Sequence, residues 1–118
     1  MRIAVCEDNQ LQRDMIVHLL NRCSAERSLP VALAPYAYGM NLLYDVEEGA
    51  HYDIVFLDIY LPDAMGNELA HRLRAMGYQG KIVFLTASPD FAVEGYDVSA
   101  SGYLLKPISY ERLKTVVD

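Results

Sequence analysis

The sequence contains no long apolar segment, and this absence argues against a helix that spans a membrane. No uninterrupted apolar run approaches the roughly 20 residues that such a helix needs. The N-terminal stretch MRIAVCEDNQ has too short an apolar run to be a signal peptide. Hydrophobic residues nevertheless make up 53% of the 118 residues, enough to build one core. We therefore predict a single cytoplasmic domain without a membrane partner.

Basic residues and cysteines are also few. The chain has 10 Lys and Arg against 16 Asp and Glu, which gives a formal net charge of -6. Such a domain is not expected to bind nucleic-acid phosphates by itself, because that binding depends on Lys and Arg. The two cysteines, Cys6 and Cys23, are expected to be free thiols, since the sequence shows no secretory signal.

Apolar runs and amphipathic stretches alternate along the chain. Strands are predicted at 3–6, 31–38, 54–58, 81–86 and 102–105, and helices at 9–27, 40–48, around 69–76, at 90–96 and from Ser109. This alternation predicts an α/β fold with a parallel sheet and helices on both faces. Pro35 has no amide proton, so the second strand is expected at a sheet edge.

Two packing predictions follow from the same pattern. The apolar face of the first helix is predicted to contain Leu11, Met15, Leu19 and Cys23, with Ile16 and Leu20 beside them. Three tyrosines of the predicted second strand and second helix are also expected to pack into the fold: Tyr36, Tyr38 and Tyr44.

Chemically active side chains follow four of the five predicted strands. Glu7 and Asp8 come after the first strand, and Asp58 ends the third. Thr86 ends the fourth strand, and Lys106 follows the fifth. Ligands of open parallel sheets bind beyond the carboxyl ends of the strands, so these side chains are expected to converge on one edge.

Three carboxylates at one edge raise each other's pKa values unless a cation lies between them. Mg2+ suits such a site, because it takes one or two carboxylates and also accepts oxygens of a phosphoryl group. A carboxylate beside Mg2+ can attack phosphorus and form an aspartyl phosphate. Asp58 is thus predicted to be the nucleophile, with Lys106 and Thr86 binding the oxygens of the transferred group.

The chain resembles the receiver domain of bacterial two-component response regulators, from Met1 to Asp118. The resemblance rests on four motifs: the acidic pair Glu7-Asp8, D-x-x-x-P-x-x-x-G as Asp58, Pro62 and Gly66, the pair Thr86-Ala87, and Y-x-x-K-P as Tyr103, Lys106 and Pro107. The stretch FLTASPDFAVEGYDVSASGYLLKPI is similar, more narrowly, to regulators whose output is a LytTR-type DNA-binding domain.

The resemblance implies a flavodoxin-like (βα)5 three-layer sandwich with strand order 2-1-3-4-5. It also implies that Asp58 accepts a phosphoryl group from a phosphohistidine on a cognate sensor histidine kinase. Asp8, Asp58 and the backbone carbonyl of Tyr60 would ligate Mg2+, and Glu7 would act through water. In such a domain the receiver catalyses its own phosphorylation and slow dephosphorylation and is not otherwise an enzyme.

The resemblance further implies a conformational switch. Lys106 would pair with the phosphoryl oxygens, Thr86 would bond to one of them, and Tyr103 would turn inward when Thr86 moves. The peptide bond between Lys106 and Pro107 would be cis. A homodimer is predicted through the face formed by the fourth helix (90–96), the fifth strand and the fifth helix.

Two features of the loop after Asp58 depart from the family's usual pattern. Tyr60 is bulky where the water of dephosphorylation would pass, and Asp63 adds a negative charge near the phosphorylation site. The last predicted helix stops early, at Asp118, so a DNA-binding output domain is expected after this residue, outside this chain.

Other functions fit the sequence less well. A flavodoxin-like mononucleotide binder needs a Ser, Thr or Gly-rich loop after the first strand, but the sequence there is CEDNQ. A phosphatase that resembles the haloacid dehalogenase group carries a second Asp at the position that Tyr60 occupies. A receiver-like interaction module that is never phosphorylated remains the alternative, although Asp8, Asp58, Thr86 and Lys106 are all present.

Overall fold

The computed structural model describes residues 1–87 and 98–118. Its strands are β1 (Arg2–Cys6), β2 (Ala32–Tyr36), β3 (Ile54–Asp58), β4 (Lys81–Thr86) and β5 (Gly102–Leu105). Its helices are α1 (Gln10–Arg27), α2 (Gly39–Glu47), α3 (Gly66–Ala75) and α4 (Tyr110–Val117). These elements confirm nine of the ten that the sequence predicts, and the predicted helix at 90–96 lies outside the described residues.

The five strands form one sheet in the order β2-β1-β3-β4-β5, and every neighbouring pair is parallel. This order confirms the flavodoxin-like arrangement. Strand β2 lies at the edge, where Pro35 is opposite Val5 of β1 and a missing amide proton costs little. All five residues of the central strand β3 are buried, as expected of a strand that helices cover on both faces.

The core has one layer on each face of the sheet. On one face, Ile16 and Leu20 of α1 and Leu113 of α4 pack with Val5 and Phe56. On the other face, α2 and α3 supply Leu42, Leu43, Leu69 and Leu73, which pack with Cys6, Leu57 and Phe84. The alternation of side chains along each strand therefore divides β1, β3 and β4 between two apolar layers.

The predicted apolar face of α1 is wrong at its N-terminal end. Leu11 is 76% exposed and Met15 is 46% exposed. The stripe that faces the sheet consists of Ile16, Leu20 and Cys23. A helix turns by ~100° per residue, which puts Met15 beside this stripe and Leu11 further round the helix.

The prediction that three tyrosines pack into the fold is confirmed for one of them. The Tyr36 hydroxyl donates to Asp45 Oδ2 at 2.6 Å and lies 2.6 Å from the Tyr52 hydroxyl in a half-buried group. Tyr38 is 51% exposed and Tyr44 is 62% exposed, so both lie on the surface of the α2 region.

Two predictions from what the sequence lacks can also be compared with the structure. Cys6 and Cys23 are buried free thiols. Within the two described ranges, no helix combines the length and the apolar character that crossing a membrane requires.

Candidate phosphoacceptor site

The carboxyl ends of β1 and β3 bring together the three carboxylates that the sequence singles out. Glu7 is fully buried, Asp58 is 5% exposed, and Asp8 is exposed. One carboxylate oxygen from each residue lies within 4.8 Å of the other two. The cluster thus has two buried members and one that faces solvent, an arrangement that a cation can reach from outside.

Lys106, from the segment that follows β5, contacts two of these acids. Its Nζ donates to Glu7 Oε1 at 2.7 Å and to Asp58 Oδ2 at 3.1 Å. Burial opposes the charge on Lys106, but the hydrogen bonds to Glu7 and Asp58 outweigh it and leave the pKa of the ammonium raised. The lysine therefore stays protonated and neutralises part of the acidic cluster.

Glu7 is the member of the cluster whose charged form is disfavoured by its surroundings. Burial and the neighbouring Asp58 side chain raise its pKa to about 7, and Lys106 counteracts them only in part. Its second oxygen, Oε2, is buried and has no hydrogen-bond partner among the described residues. An orphaned buried carboxylate oxygen is costly unless another donor or a cation satisfies it.

The donor set fits Mg2+. All three side chains offer carboxylate oxygens, which are the ligands that this ion prefers, and the exposed Asp8 leaves room for bound water. Three acids with one lysine also leave an excess of negative charge, which a divalent cation would balance.

The loop between β3 and α3 folds back tightly over Asp58. The Tyr60 N–H donates to Asp58 Oδ1 at 3.3 Å, and the Gly66 N–H donates to the Ile59 carbonyl at 2.6 Å. A side chain at Gly66 has no room, because an added Cβ would lie 2.1 Å from the Asp58 carbonyl oxygen. The glycine of the D-x-x-x-P-x-x-x-G pattern is thus required by a close approach of backbone to backbone.

Thr86 and Tyr103 lie on adjacent strands near the same edge. Thr86 is 2% exposed at the end of β4, and its carbonyl accepts a hydrogen bond from the Lys106 N–H at 2.8 Å. Tyr103 is half-buried and stacks on Phe84, with ring centroids 5.4 Å apart. The peptide bond between Lys106 and Pro107 is cis, as the resemblance implies.

The structure adds Arg13 to this edge, which was not predicted, and shows where the carboxylate of Asp63, predicted to lie near the phosphorylation site, is directed. Arg13 Nη1 donates to the Glu7 carbonyl at 2.8 Å and more weakly to the Asp8 carbonyl at 3.4 Å. The Asp63 carboxylate turns away from the acidic cluster and accepts two N–H groups of α2. Arg13 follows Asn9, the N-cap of α1, by four residues, a spacing that could have indicated a side chain directed back toward the loop.

A parallel sheet in this order, with acids and a lysine at its carboxyl edge, defines the class of receiver domains. Residues 3–118 match the family described as "Response regulator receiver domain", and the chain belongs to that family. The family assignment and the retained acids and lysine disfavour the alternative of an interaction module that phosphorylation does not regulate.

Relatives with curated descriptions show which response regulators the chain is similar to. The chain is 33% identical over 117 residues to the sensory transduction protein LytR of Staphylococcus saprophyticus, covering 99% of this chain and 44% of that protein. It is 31% identical over 114 residues to the sensory transduction protein LytT of Bacillus subtilis, covering 97% of this chain and 45% of that protein. The chain thus spans less than half the length of these relatives, which support the resemblance to LytTR-type regulators.

A solved structure agrees with the fold. The response regulatory domain of protein mrkE from Klebsiella pneumoniae superposes with a TM-score of 0.87 at 27% identity. The superposition covers 99% of this chain and 92% of that one.

Proposed function

We propose that this receiver domain accepts a phosphoryl group on Asp58 in a Mg2+-dependent transfer from a phosphohistidine of a sensor histidine kinase. The observation that carries the proposal is the convergence of Glu7, Asp8 and Asp58 within 4.8 Å. Lys106 Nζ lies 3.1 Å from Asp58 Oδ2, where its ammonium can bind the negative charge that a phosphoryl group adds.

The transfer exchanges one bond to phosphorus for another. An oxygen of Asp58 attacks the phosphorus, and the phosphorus–nitrogen bond of the donor breaks with its electron pair going to the imidazole. Bound Mg2+ supplies charge neutralisation for the incoming oxygens. Asp8, Asp58 and the Tyr60 carbonyl would hold the ion, and Glu7 would act through water.

The remaining residues respond to the new charge. Lys106, which already contacts Asp58, binds a phosphoryl oxygen as the carboxylate becomes an acyl phosphate. Thr86 moves its hydroxyl to another oxygen, and Tyr103 fills the space that Thr86 leaves. This two-state movement is the proposed switch, and the domain catalyses both its own phosphorylation and its slow dephosphorylation.

A small phosphodonor tests the proposal without a kinase. Acetyl phosphate with Mg2+ should add one phosphoryl group to the wild-type chain, as read by intact mass. Asp58→Asn should abolish the addition, and excess EDTA should suppress it in the wild type. Asp53→Asn, at the opposite end of β3, is the matched control and should be modified normally. Full modification of Asp58→Asn would overturn the assignment of the acceptor.

The partners follow from the same proposal. The donor is a cognate sensor histidine kinase that meets the receiver in the cytoplasm. Regulation of transcription would require an attached DNA-binding domain, because the receiver is acidic and its relatives are more than twice its length. DNA contact is therefore assigned to the output part of the full protein.

Phosphorylation is further proposed to favour a homodimer through β5, α4 and the predicted helix at 90–96, which lies outside the described residues. Sedimentation with and without beryllofluoride, which stands in for the phosphoryl group, would measure the association constant. We expect coupling of about 1–3 kcal/mol in the wild type and none in Thr86→Ala. The same association constant in both conditions would exclude this route for the receiver by itself.

A further inference from the structure

Helix α2 begins without a suitable capping residue of its own. Tyr38 is at the N-cap position, and within the described part of the chain it forms no side-chain capping bond. Ser, Thr, Asn or Asp normally occupies this position, because a short side-chain oxygen can accept an N–H of the first turn. The first N–H groups of α2 therefore need an acceptor from elsewhere.

Asp63 supplies that acceptor from the loop between β3 and α3. The Gly39 N–H donates to Asp63 Oδ1 at 3.0 Å, and the Met40 N–H donates to Oδ2 at 2.8 Å. Both carboxylate oxygens are thus engaged by one helix N-terminus, 23 and 24 residues away in the sequence. Hydrogen bonds to a charged acceptor are stronger than neutral ones, and the helix dipole favours negative charge at this end.

These two hydrogen bonds direct the Asp63 carboxylate to α2 and separate it from the acidic cluster. The carboxylates that converge are those of Glu7, Asp8 and Asp58. Asp63 still lies close to the carboxyl end of β1, since after burial its charge is the next largest cause of the raised pKa of Cys6. A fourth carboxylate is therefore present at this edge of the sheet, but α2 holds it.

The two segments that Asp63 joins are each held by further contacts. The loop is closed at its base by the Gly66–Ile59 hydrogen bond and by a bridge between Tyr60 and Met65. The N-terminus of α2 packs closely on α3. A Cβ added at Gly39 would lie only 2.2 Å from Leu69 Cδ1. Asp63 thus connects the tip of a closed loop to the N-terminus of a helix that is itself packed on α3.

We propose that Asp63 is a positioning residue that holds the 59–66 loop against α2 and thereby keeps the Tyr60 carbonyl in place for Mg2+. The inference rests on the proposed function, in which that carbonyl is a ligand. Asp63 acts through the loop backbone and does not itself bind the ion. Removing a group that orients a metal ligand typically lowers metal affinity or activity by about 10–100-fold.

Mg2+ titrations followed by NMR amide shifts measure the effect directly. Asp63→Ala should raise the dissociation constant for Mg2+ by about 10-fold. Asp63→Asn keeps one acceptor oxygen but loses the charge, so its dissociation constant should lie between those of the wild type and Asp63→Ala. Equal weakening in both variants would mean that Asp63 acts only through its charge, and would overturn the proposal.

A local cap separates the stability of α2 from the position of the loop. In the double variant Asp63→Ala with Tyr38→Ser, the serine restores a cap to α2 but leaves the loop unfastened. We expect the midpoint of urea unfolding to rise relative to Asp63→Ala while the affinity for Mg2+ stays low. Recovery of the affinity would show that the helix cap alone matters, and the positioning role would be wrong.

Asp53→Ala is the matched control, because the Asp53 carboxylate also accepts a backbone N–H, that of Arg2 at 2.8 Å, at the opposite end of the sheet. It should bind Mg2+ like the wild type. Wild-type protein that neither binds Mg2+ nor gains a phosphoryl group from acetyl phosphate would overturn the proposed function as well. Normal wild-type behaviour together with equal affinity in Asp63→Ala would overturn the role of Asp63 alone.

Discussion

Lys106 Nζ lies 3.1 Å from Asp58 Oδ2, although 48 residues separate the two in the sequence. The same ammonium is 2.7 Å from Glu7 Oε1, so it already occupies the space between two acids before any group is transferred. Lys106→Ala should leave Mg2+ binding intact but remove most of the amide shift changes that phosphorylation causes. Lys81→Ala is the control and should respond like the wild type. Among the hydrogen bonds of the described residues, the Lys81 ammonium contacts only the Val116 carbonyl.

If phosphorylation caused the same amide shift changes in Lys106→Ala as in the wild type, this role of Lys106 would be contradicted. A loss of Mg2+ binding in the same variant would point instead to a collapse of the cluster, in which Glu7 and Asp58 repel each other without the lysine.

Tyr60 is expected to lengthen the lifetime of the phosphoryl group. Its side chain follows Asp58 by two residues and is 59% exposed, on the loop that folds over the acceptor. A bulky ring obstructs a water that approaches phosphorus in line, so Tyr60→Ala should shorten the half-life of the aspartyl phosphate. Release of inorganic phosphate measures it, and Tyr44→Ala, a similarly exposed tyrosine on α2, should behave like the wild type. An unchanged half-life in Tyr60→Ala would count against steric protection.

Arg74 should contribute strongly to stability. Its guanidinium donates to four backbone carbonyls in two separate segments, those of Tyr78, Gly80, Val98 and Ser99. Arg74→Ala leaves these acceptors without their donor and should lower the free energy of unfolding by about 2–4 kcal/mol. Arg72→Ala on the same helix removes only a 3.6 Å contact with Met40 Sδ among the described hydrogen bonds, and should cost no more than about 0.5 kcal/mol. Urea unfolding of the two variants makes the comparison, and similar midpoints would contradict it.

Cys6 should be unreactive in the folded protein. Burial and then the charge of Asp63 raise the pKa of its thiol to about 12, so almost no thiolate forms near neutral pH. Iodoacetamide should label Cys6 only after unfolding. Peptide mapping of the native and urea-treated protein would show this, and rapid labelling of native Cys6 would contradict the assignment.

The same shift makes stability depend on alkaline pH. Above the ordinary value of 9.0 the unfolded thiol loses its proton, whereas the folded thiol keeps it until about 12. The unfolded state then binds fewer protons than the folded state, so the free energy of unfolding falls as the pH rises through this window. In urea unfolding, Cys6→Val should lose less stability than the wild type as the pH rises from about 9 toward about 12, because it lacks this thiol.

The sequence could predict most of the fold because each strand is short, apolar and bounded by turn residues. The edge position of β2 followed from one property of Pro35, its missing N–H, and needed no knowledge of the rest of the chain. The convergence of Glu7, Asp58 and Lys106 followed from the rule that parallel strands present their carboxyl ends at one edge.

The features that were missed depend on contacts that periodicity cannot report. Leu11 and Met15 are apolar like their neighbours, and only the orientation of α1 on the sheet shows that they face outward. Asp63 caps a helix that begins 24 residues earlier, so a local capping rule could not find it. Arg13, in the first turn of α1, bonds to the Glu7 carbonyl just after β1, a contact between two elements that the pattern of either one does not report.

Pro35 also limits how copies of this chain can associate. An open sheet edge can pair with a strand of another molecule, because its N–H and C=O groups on that side have no partners within the sheet. On β2 that row is interrupted in its fourth residue by Pro35, which has no proton to donate. Continuous edge-to-edge pairing along β2 would therefore lack a hydrogen bond at Pro35, which protects this side of the domain from extending its sheet into a neighbour.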